Sequence, residues 1–391
     1  MTHRRSLCRG LWIAAILILP RVAFAQARYT AKQTGDIVQL HDSRTDTTVS
    51  VMTSVSNAYE MVVKGQHVIR IPFQTVDDFR ARPGLNGIPL LAPFANRLDE
   101  PAFYANGKKY NFDLELGNVR GPIPIHGYLS SAKDWKMVEA KADGKAAWVT
   151  NKLDFYRNPQ WMQQFPFAHT LQMTYRLMDG VLEVKTTIEN LSAEPMPVAI
   201  GFHPYFQLTD STREDWVLSI AAKTHWLLAQ TKIPTGETEP SEKFFPNRQA
   251  VALKDFDLDD VFGDLERDAQ GRAVMTVKGK AQQLEVLLGP NYRSIVLYSP
   301  NPANARGGGG GGRGGAPGAT PPPAPATPAA PTVPLSAPRD TAANRGFIAI
   351  EPMAGITDSM NLAHKGLYKE LQSIPPGGKW EESFWLRPSG F

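Results

Sequence analysis

The chain has 391 residues, of which 42 are Lys or Arg and 38 are Asp or Glu, giving a formal net charge of +4. Arg4, Arg5, Arg9 and Arg21 account for the whole excess, because residues 1–25 contain no acid. The rest of the chain is neutral overall and indicates no clustered basic face for a nucleic-acid partner. Cys8 is the single cysteine, so the remainder offers no disulfide, thiolate metal site or cysteine nucleophile.

The first 25 residues have the order of a secretory signal peptide. A basic stretch that ends at Arg9 precedes the apolar run Leu11–Leu19, and Pro20 and the small-residue pattern Ala23-Phe24-Ala25 follow. The run is too short to span a bilayer, which takes roughly 20 residues. We therefore predict cleavage after Ala25 and an exported protein with no membrane segment after cleavage. The form of the leader and the lack of disulfides favour a bacterial periplasm.

Short alternating segments separated by turn residues fill most of the remaining chain. Thr170–Leu177 and Val181–Ile188 alternate apolar and polar residues on either side of Asp179-Gly180, which predicts a β-hairpin. Helical periodicity is scarce and indicates only a turn or two near residues 77–82. The pattern predicts an all-β protein, a large antiparallel β-sandwich with few short helices. No fixed repeat period is present, which disfavours a propeller or solenoid.

A segment of unusual composition interrupts this pattern. Residues 303–344 are mostly Gly, Pro, Ala and Thr and cannot bury enough apolar surface to offset their ordering entropy, which predicts a disordered insertion. Residues 345–391 are too few for a stable core of their own. We therefore predict one domain, formed by residues 26–302 together with 345–391. An inert insertion is the simplest interpretation, while a gate or a tether for a partner stays open.

Five short clusters combine chargeable side chains with turn-forming or aromatic neighbours. Their polar members are, in chain order, Asn96, Arg97, His126, His203, Asp259, Asp260 and Glu351. Each has a structural alternative, because a His beside Gly or Pro can cap a turn and paired Asp residues favour turns. Glu351 ends the apolar run Phe347–Ile350, so we expect burial that raises its pKa towards the range of a base. A rim carboxylate paired with Lys or Arg is the alternative.

No local ligand spacing indicates a metal site. The chain has no His-x-His and no H-E-x-x-H pattern, and His126 and His203 are far apart in sequence. The glycine run 307–312 lacks the G-K-[ST] ending of a phosphate-binding loop, and no G-x-S-x-G elbow is present. Two His and a carboxylate could still meet in space, but the lack of local ligand spacing leads us to expect no metal.

Together and in this order, the clusters resemble the aldose 1-epimerase (galactose mutarotase) family. The resemblance extends from about Tyr29 to Phe391, without the insertion, and rests on Asn96-Arg97, His126-Gly127, His203-Pro204-Tyr205-Phe206, Asp259 ahead of Phe262, and Glu351-Pro352-Met353. It implies the galactose mutarotase-like supersandwich with an open sugar cleft. It also implies interconversion of the α and β anomers of free hexoses without a cofactor.

The resemblance further implies a role for each matching residue. Glu351 would be the general base and His203 the general acid, with His126 assisting near the ring oxygen. Arg97, Asn96 and Asp259 would bind sugar hydroxyls. These residue types suit ring opening, in which the anomeric hydroxyl loses a proton while the ring oxygen gains one.

Two other interpretations stay open. An epimerase of a modified or phosphorylated hexose needs extra basic residues at the cleft. Lys108, Lys109 and Arg120 are candidates, with solvated surface as the default interpretation. A non-catalytic carbohydrate-binding protein on the same scaffold needs no acid–base pair, so the presence of both His203 and Glu351 disfavours it. In each case the expected partner is a small-molecule sugar, bound by a monomer or a dimer.

Overall fold

The computed structural model describes residues 27–117, 119–120, 122–301, 333–339 and 345–391. The predicted signal peptide and most of the predicted insertion lie outside these residues. The described part of the chain forms 28 strands and four short α-helices, together with three single-turn 3-10 helices. None of these helices combines the length and the apolar character that crossing a membrane requires.

The elements are labelled in chain order. The first ten strands are β1 (Tyr29–Thr34), β2 (Ile37–Asp42), β3 (Thr47–Met52), β4 (Asn57–Val63), β5 (Gln66–His67), β6 (Leu90–Leu91), β7 (Ala102–Ala105), β8 (Lys108–Asn111), β9 (Val119–Arg120) and β10 (Ile123–Pro124). The next ten are β11 (Lys136–Ala142), β12 (Ala147–Asp154), β13 (His169–Met178), β14 (Val181–Asn190), β15 (Met196–Val198), β16 (Gly201–Phe202), β17 (Tyr205–Phe206), β18 (Val217–Ser219), β19 (Ala222–Leu228) and β20 (Pro234–Pro240). The last eight are β21 (Val251–Ala252), β22 (Leu258–Leu265), β23 (Ala273–Lys278), β24 (Gln283–Leu288), β25 (Ser294–Ser299), β26 (Ile348–Met353), β27 (Gln372–Ile374) and β28 (Lys379–Ser389). The helices are α1 (Val76–Ala81), α2 (Pro159–Gln164), α3 (Ser241–Phe244) and α4 (Ser359–His364).

Two large antiparallel sheets form the body of the protein. One has nine strands in the order β11-β12-β13-β14-β28-β24-β23-β18-β21. The other has eight, β20-β19-β22-β25-β26-β16-β6 with β17 beside β26, and β1 to β5 form a separate five-stranded sheet. Val184 and Phe384 from the first sheet and Phe262 and Leu297 from the second belong to one buried apolar cluster. The predicted all-β sandwich with few short helices is therefore confirmed.

The alternation read from the sequence corresponds to the observed strands. β13 and β14 pair along their whole length, from His169 with Asn190 to Met178 with Val181, so the predicted hairpin is confirmed. Its turn residues Asp179 and Gly180 both have left-handed φ angles, 52° and 74°. β24 and β25, although close in sequence, belong to different sheets, so their short connection crosses from one layer to the other.

The residues after the insertion complete both large sheets. β26 lies between β25 and β16 in the eight-stranded sheet, and β28 lies between β14 and β24 in the nine-stranded sheet. A domain boundary inside the insertion would separate hydrogen-bonded central strands from their neighbours. Residues on both sides of the insertion therefore contribute central strands to the same two sheets.

Part of the segment for which disorder is predicted is packed. Residues 333–339 lie against the five-stranded sheet, and Val333 joins a small buried apolar cluster there. Ser336 donates from its backbone N–H and its hydroxyl to the two oxygens of the buried Glu60, at 2.9 and 2.6 Å. The carbonyl of Ala337 lies 3.1 Å from Nε2 of His67. For these seven residues the prediction of disorder is wrong, because partners distant in sequence satisfy their polar groups.

Candidate active site

Strand register places several of the polar cluster residues on one face of the eight-stranded sheet. Asp259 in β22 pairs with Tyr298 in β25, which pairs with Ala349 in β26, and Ala349 pairs with Tyr205 in β17. Directly paired residues share a face, as do residues two apart on a strand. Glu351 therefore projects to the same side as Asp259, Tyr298 and Tyr205.

Two loops bring the remaining polar residues to this face. Isolated β-bridges hold the loop 92–97 beside residues 125–127. Asn96 and His126 both have left-handed φ angles, 58° and 62°, which few residues other than glycine adopt. Backbone conformations of this kind are concentrated at functional sites. The local geometry thus gives Asn96-Arg97 and His126 a fixed and unusual orientation.

Gly127 is required for the close approach of these two loops. Its φ is 58°, and a Cβ added there would lie 2.1 Å from the carbonyl oxygen of Ala92. We expect Gly127→Ala to lower the free energy of unfolding by about 2 kcal/mol and to displace His126. Urea denaturation measures the first effect. Gly144→Ala is the control, because a Cβ at Gly144 meets no atom within 4 Å; equal stability of the two variants would contradict this account.

The predicted acid and base are in direct contact. Nε2 of His203 lies 3.1 Å from Oε1 of Glu351, and both side chains are almost completely buried. Burial lowers the pKa of His203 to about 3. Burial, reinforced by the charge of Asp259, raises the pKa of Glu351 well above its ordinary value, although Arg97 opposes this. These opposite shifts favour a neutral imidazole in contact with a protonated carboxyl group, so that the pair holds one dissociable proton.

The second oxygen of Glu351 is the free end of this pair. Oε2 is buried and has no hydrogen-bond partner among the residues that the structure describes. A buried carboxyl oxygen without a partner costs free energy unless a ligand satisfies it. The arrangement can accept a hydroxyl hydrogen from a bound molecule at this oxygen.

His126 presents a hydrogen-bond donor beside the pair. Its ring centroid lies 5.2 Å from that of His203, with the ring planes nearly perpendicular. Its Nδ1 accepts the backbone N–H of Asn96 at 3.3 Å. In the neutral ring the proton is then on Nε2. The donor of the His126 ring is thereby its Nε2–H.

Arg97 and Asp259 form an ion pair that Asn96 supports. Nη2 of Arg97 lies 3.2 Å from Oδ2 of Asp259, and Nη1 donates to Oδ1 of Asn96 at 3.0 Å. The same Asn96 oxygen accepts the backbone N–H of Arg97 at 2.9 Å. The predicted sugar-binding residues are thus together, with the Asn96 oxygen occupied in holding Arg97.

Asp260, the neighbour of Asp259, points to the other side of the sheet. Its Oδ1 lies 3.3 Å from Nε2 of His225, whose Nδ1 lies 3.0 Å from Oε1 of Glu239. Burial opposes the charge on His225, but the hydrogen bonds of Asp260 and Glu239 outweigh it and raise the pKa of His225. Oδ2 of Asp260 also accepts the backbone N–H of Asp259 at 3.1 Å. Asp260 therefore fixes the backbone of Asp259 from the opposite face of the sheet.

A cavity of about 370 Å³ opens beside the ion pair. It is lined by Arg97, Ile123, Gln230, Thr231, Lys232 and Asp259. A larger cavity, about 630 Å³, lies between residues 74–77 and 333–339, away from the acid–base pair. The smaller cavity is the candidate ligand site, because two of the residues that line it, Arg97 and Asp259, also influence the pKa of Glu351.

A family model described as aldose 1-epimerase matches residues 37–363. The chain belongs to the aldose 1-epimerase family. It is 26% identical to the galactose mutarotase of Homo sapiens over 168 residues, 41% of this chain and 44% of that protein. It is 24% identical to the uncharacterized protein YphB of Escherichia coli over 137 residues, 35% of this chain and 41% of that protein. The chain thus spans less than half the length of the curated relatives it matches.

The similarity to solved structures covers nearly the whole fold. A galactose mutarotase-like protein from Clostridium acetobutylicum superposes with a TM-score of 0.72 over 93% of this chain and 98% of that chain, at 19% identity. At that identity the likeness shows the fold alone. It agrees with the supersandwich that the sequence motifs imply.

Aromatic residues that carry no predicted role complete the surroundings of the pair. The Tyr205 ring lies 4.6 Å from that of His203 and 5.2 Å from that of Phe347, centroid to centroid. Tyr298 lies 6.1 Å from His203. Strand alternation was the available signal, because Tyr205, Tyr298 and Glu351 share a face only once the register is known.

The lysines that were candidates for binding an anionic group of the sugar do not line the cavity beside Arg97 and Asp259. Lys108 forms an ion pair with Glu194 at 2.6 Å, and Lys109 forms one with Glu100 at 2.5 Å, with both lysines exposed. The side chain of Arg120 lies outside the described residues. The two lysines are therefore surface residues paired with exposed carboxylates, as the default interpretation of solvated surface expects. The lysine that lines the cavity is Lys232.

Proposed function

We propose that this protein is an aldose 1-epimerase that interconverts the α and β anomers of free hexoses. The observation that carries the proposal is the buried contact between His203 and Glu351, whose pKa values move in opposite directions. Structural ion pairs are more commonly exposed and charged. A buried pair that shares one proton beside a free carboxyl oxygen suits acid–base catalysis.

The proposed reaction uses the shared proton twice. Proton transfer within the pair gives the Glu351 carboxylate and the His203 imidazolium. Glu351 then removes the anomeric hydroxyl proton while His203 protonates the ring oxygen, so the C1–O5 bond breaks and an open-chain aldehyde forms. Rotation about the C1–C2 bond presents the other carbonyl face, and the same proton transfers in reverse close the opposite anomer. Each group must act as both acid and base, because the two directions use one path.

The neighbouring residues would orient the sugar for this exchange. His126 would donate from Nε2 near the ring oxygen, as its tautomer allows. Arg97 and Asp259 would exchange part of their mutual ion pair for sugar hydroxyls. Tyr205 and Tyr298 offer aromatic surface for the apolar face of the ring. Fixing the ring against two catalytic groups removes much of the orientational entropy of reaction.

Polarimetry tests the proposed activity. Purified protein lacking residues 1–25 is mixed with freshly dissolved α-D-glucose or α-D-galactose, and the optical rotation is followed to equilibrium. We expect a faster approach to equilibrium than in buffer, in proportion to protein concentration. No acceleration with any common aldose would contradict the proposal. Tight binding without acceleration would favour the carbohydrate-binding alternative instead.

The pH dependence should show a broad plateau. The pair holds one proton between the lowered pKa of His203, about 3, and the raised pKa of Glu351. We therefore expect kcat/KM to stay constant from about pH 4 up to the raised pKa of Glu351, after subtraction of the buffer-catalysed rate. A bell-shaped profile that falls on either side of about pH 6.5, the ordinary pKa of histidine, would contradict a buried shared proton.

We also propose that the protein is exported. The support is the order of basic, apolar and small residues in 1–25. Expression in a bacterium, followed by fractionation and N-terminal sequencing, should give a periplasmic product that begins at Gln26. A full-length product in the cytoplasm would contradict export.

A further inference from the structure

Lys232 occupies an unusual place in the hairpin between β19 and β20. The backbone N–H of Lys232 donates to Ala229 at 2.9 Å, and that of Ala229 donates to Ile233 at 2.9 Å, which closes a tight turn. Lys232 adopts a left-handed φ of 64° within it. Gly or Asn would adopt this conformation with less strain. A lysine at a strained backbone position of this kind suggests a functional role for its side chain.

The Lys232 side chain lines the cavity beside the ion pair of Arg97 and Asp259. Its ammonium is 3.4 Å from the backbone oxygen of Asp259, a long and weak contact. No carboxylate lies within 4 Å of it among the residues that the structure describes. The cavity therefore contains two cations, Arg97 and Lys232, against one carboxylate, that of Asp259. This leaves one positive charge in excess.

We propose that the site prefers an aldose that carries a carboxylate, a hexuronate, with Lys232 as the residue that binds this group. The inference rests on the proposed epimerase activity and adds the substrate class. The hydroxyl of Thr231 and the amide of Gln230 line the same cavity and can complete the hydrogen bonding of a carboxylate.

Charge balance favours a carboxylate over a phosphate monoester. One excess positive charge matches a single negative charge, whereas a phosphate monoester carries nearly two and is bound through several donors or bidentate arginines. Arg97, the only arginine lining this cavity in the described chain, is already paired with Asp259 and Asn96. Lys232 alone supplies a compact point charge, which suits a monoanion.

The test compares acidic and neutral sugars of the same configuration. Anomer exchange is measured for D-galacturonate against D-galactose and for D-glucuronate against D-glucose, with D-glucose 6-phosphate as a third arm. We expect kcat/KM to be about tenfold higher for the hexuronates than for the neutral sugars, and Lys232→Met to lower this ratio about tenfold. Lys232→Gly should do the same while relaxing the turn, so a folding defect cannot explain both.

Lys223→Met is the matched control, because Lys223 is exposed on β19 and its substitution removes the same charge. It should leave the ratio at its wild-type value. If neutral hexoses are accelerated but hexuronates are not preferred, or if both Lys232 variants keep the ratio, the carboxylate proposal is overturned and the epimerase proposal stands. A preference for the 6-phosphate overturns the assignment to a carboxylate. If no sugar is accelerated, the epimerase proposal itself fails.

Discussion

Glu351→Gln should lower kcat by about 10³-fold while leaving the protein folded. The amide has nearly the same shape as the carboxyl group but cannot exchange a proton with the anomeric hydroxyl. His203→Asn should have a loss of similar size, because either substitution removes one of the two groups between which the proton must move. The double variant should lose little more than each single one, since the two residues act as a unit. Polarimetry at several protein concentrations measures all three.

The stability of Glu351→Gln provides the control for folding. A raised pKa means that the folded protein keeps a proton that the unfolded chain releases, so stability falls as the pH rises above the ordinary carboxyl value. Glutamine removes this penalty. We therefore expect Glu351→Gln to be at least as stable as the wild type at neutral pH, and progressively more so at higher pH. Glu370→Gln, at an exposed site, should change neither activity nor stability. If Glu351→Gln unfolds, its loss of activity says nothing about catalysis. Unfolding would also contradict a protonated Glu351 carboxyl group in the folded wild type.

Arg213→Met should lower the free energy of unfolding by about 3–5 kcal/mol. The guanidinium is 1% exposed and donates to the Ser299 hydroxyl at 2.8 Å and to the carbonyls of Leu253, Phe256 and Ser299 at 2.6–2.7 Å. Burial lowers the pKa of Arg213, so the site tolerates the charge only because its donors are occupied. Methionine fills a similar volume but leaves buried acceptors unpaired.

Arg213 holds the two ends of the insertion together, so the expected loss of stability reflects the separation of these ends. Ser299 ends β25 before the insertion, and the backbone N–H of Arg213 donates to Arg345 after it at 2.7 Å. Urea denaturation measures the effect, with Arg44→Met as the control because that side chain is 64% exposed in an ion pair with Asp179. The control should cost less than about 1 kcal/mol. Similar costs for the two arginines would contradict a specific role for Arg213 in joining the two ends of the insertion.

The strands were predictable where one physical signal dominates. The β13–β14 hairpin has strict alternation and an Asp-Gly turn, and both survive in the structure because burial of one face fixes the register. Residues 333–339 illustrate the opposite case. Their composition predicts disorder, yet the two hydrogen bonds from Ser336 to Glu60 depend on a partner 276 positions away. A local pattern contains no information about that partner.

The site was predictable only through the order of its motifs. His203 and Glu351 each had a structural alternative when considered singly, and the 3.1 Å contact between them depends on the pairing of β17 with β26 across the insertion. The basic residues show the limit of that approach. No sequence pattern distinguishes Lys108 and Lys109 from Lys232 as ligands of an anionic group. Only the fold shows that carboxylates pair with the first two and that Lys232 lines the cavity.

The central places of β26 and β28 also constrain how the chain can be made. Both strands follow the insertion in the chain, so neither large sheet can close until residues 345–391 have been synthesised. Until then β25 and β14 each lack a neighbour, and unpaired strand edges promote association between nascent chains. Long-range pairings of this kind also slow folding. A ribosome-bound chain that stops before residue 345 should therefore depend on chaperones, however well its hairpins form.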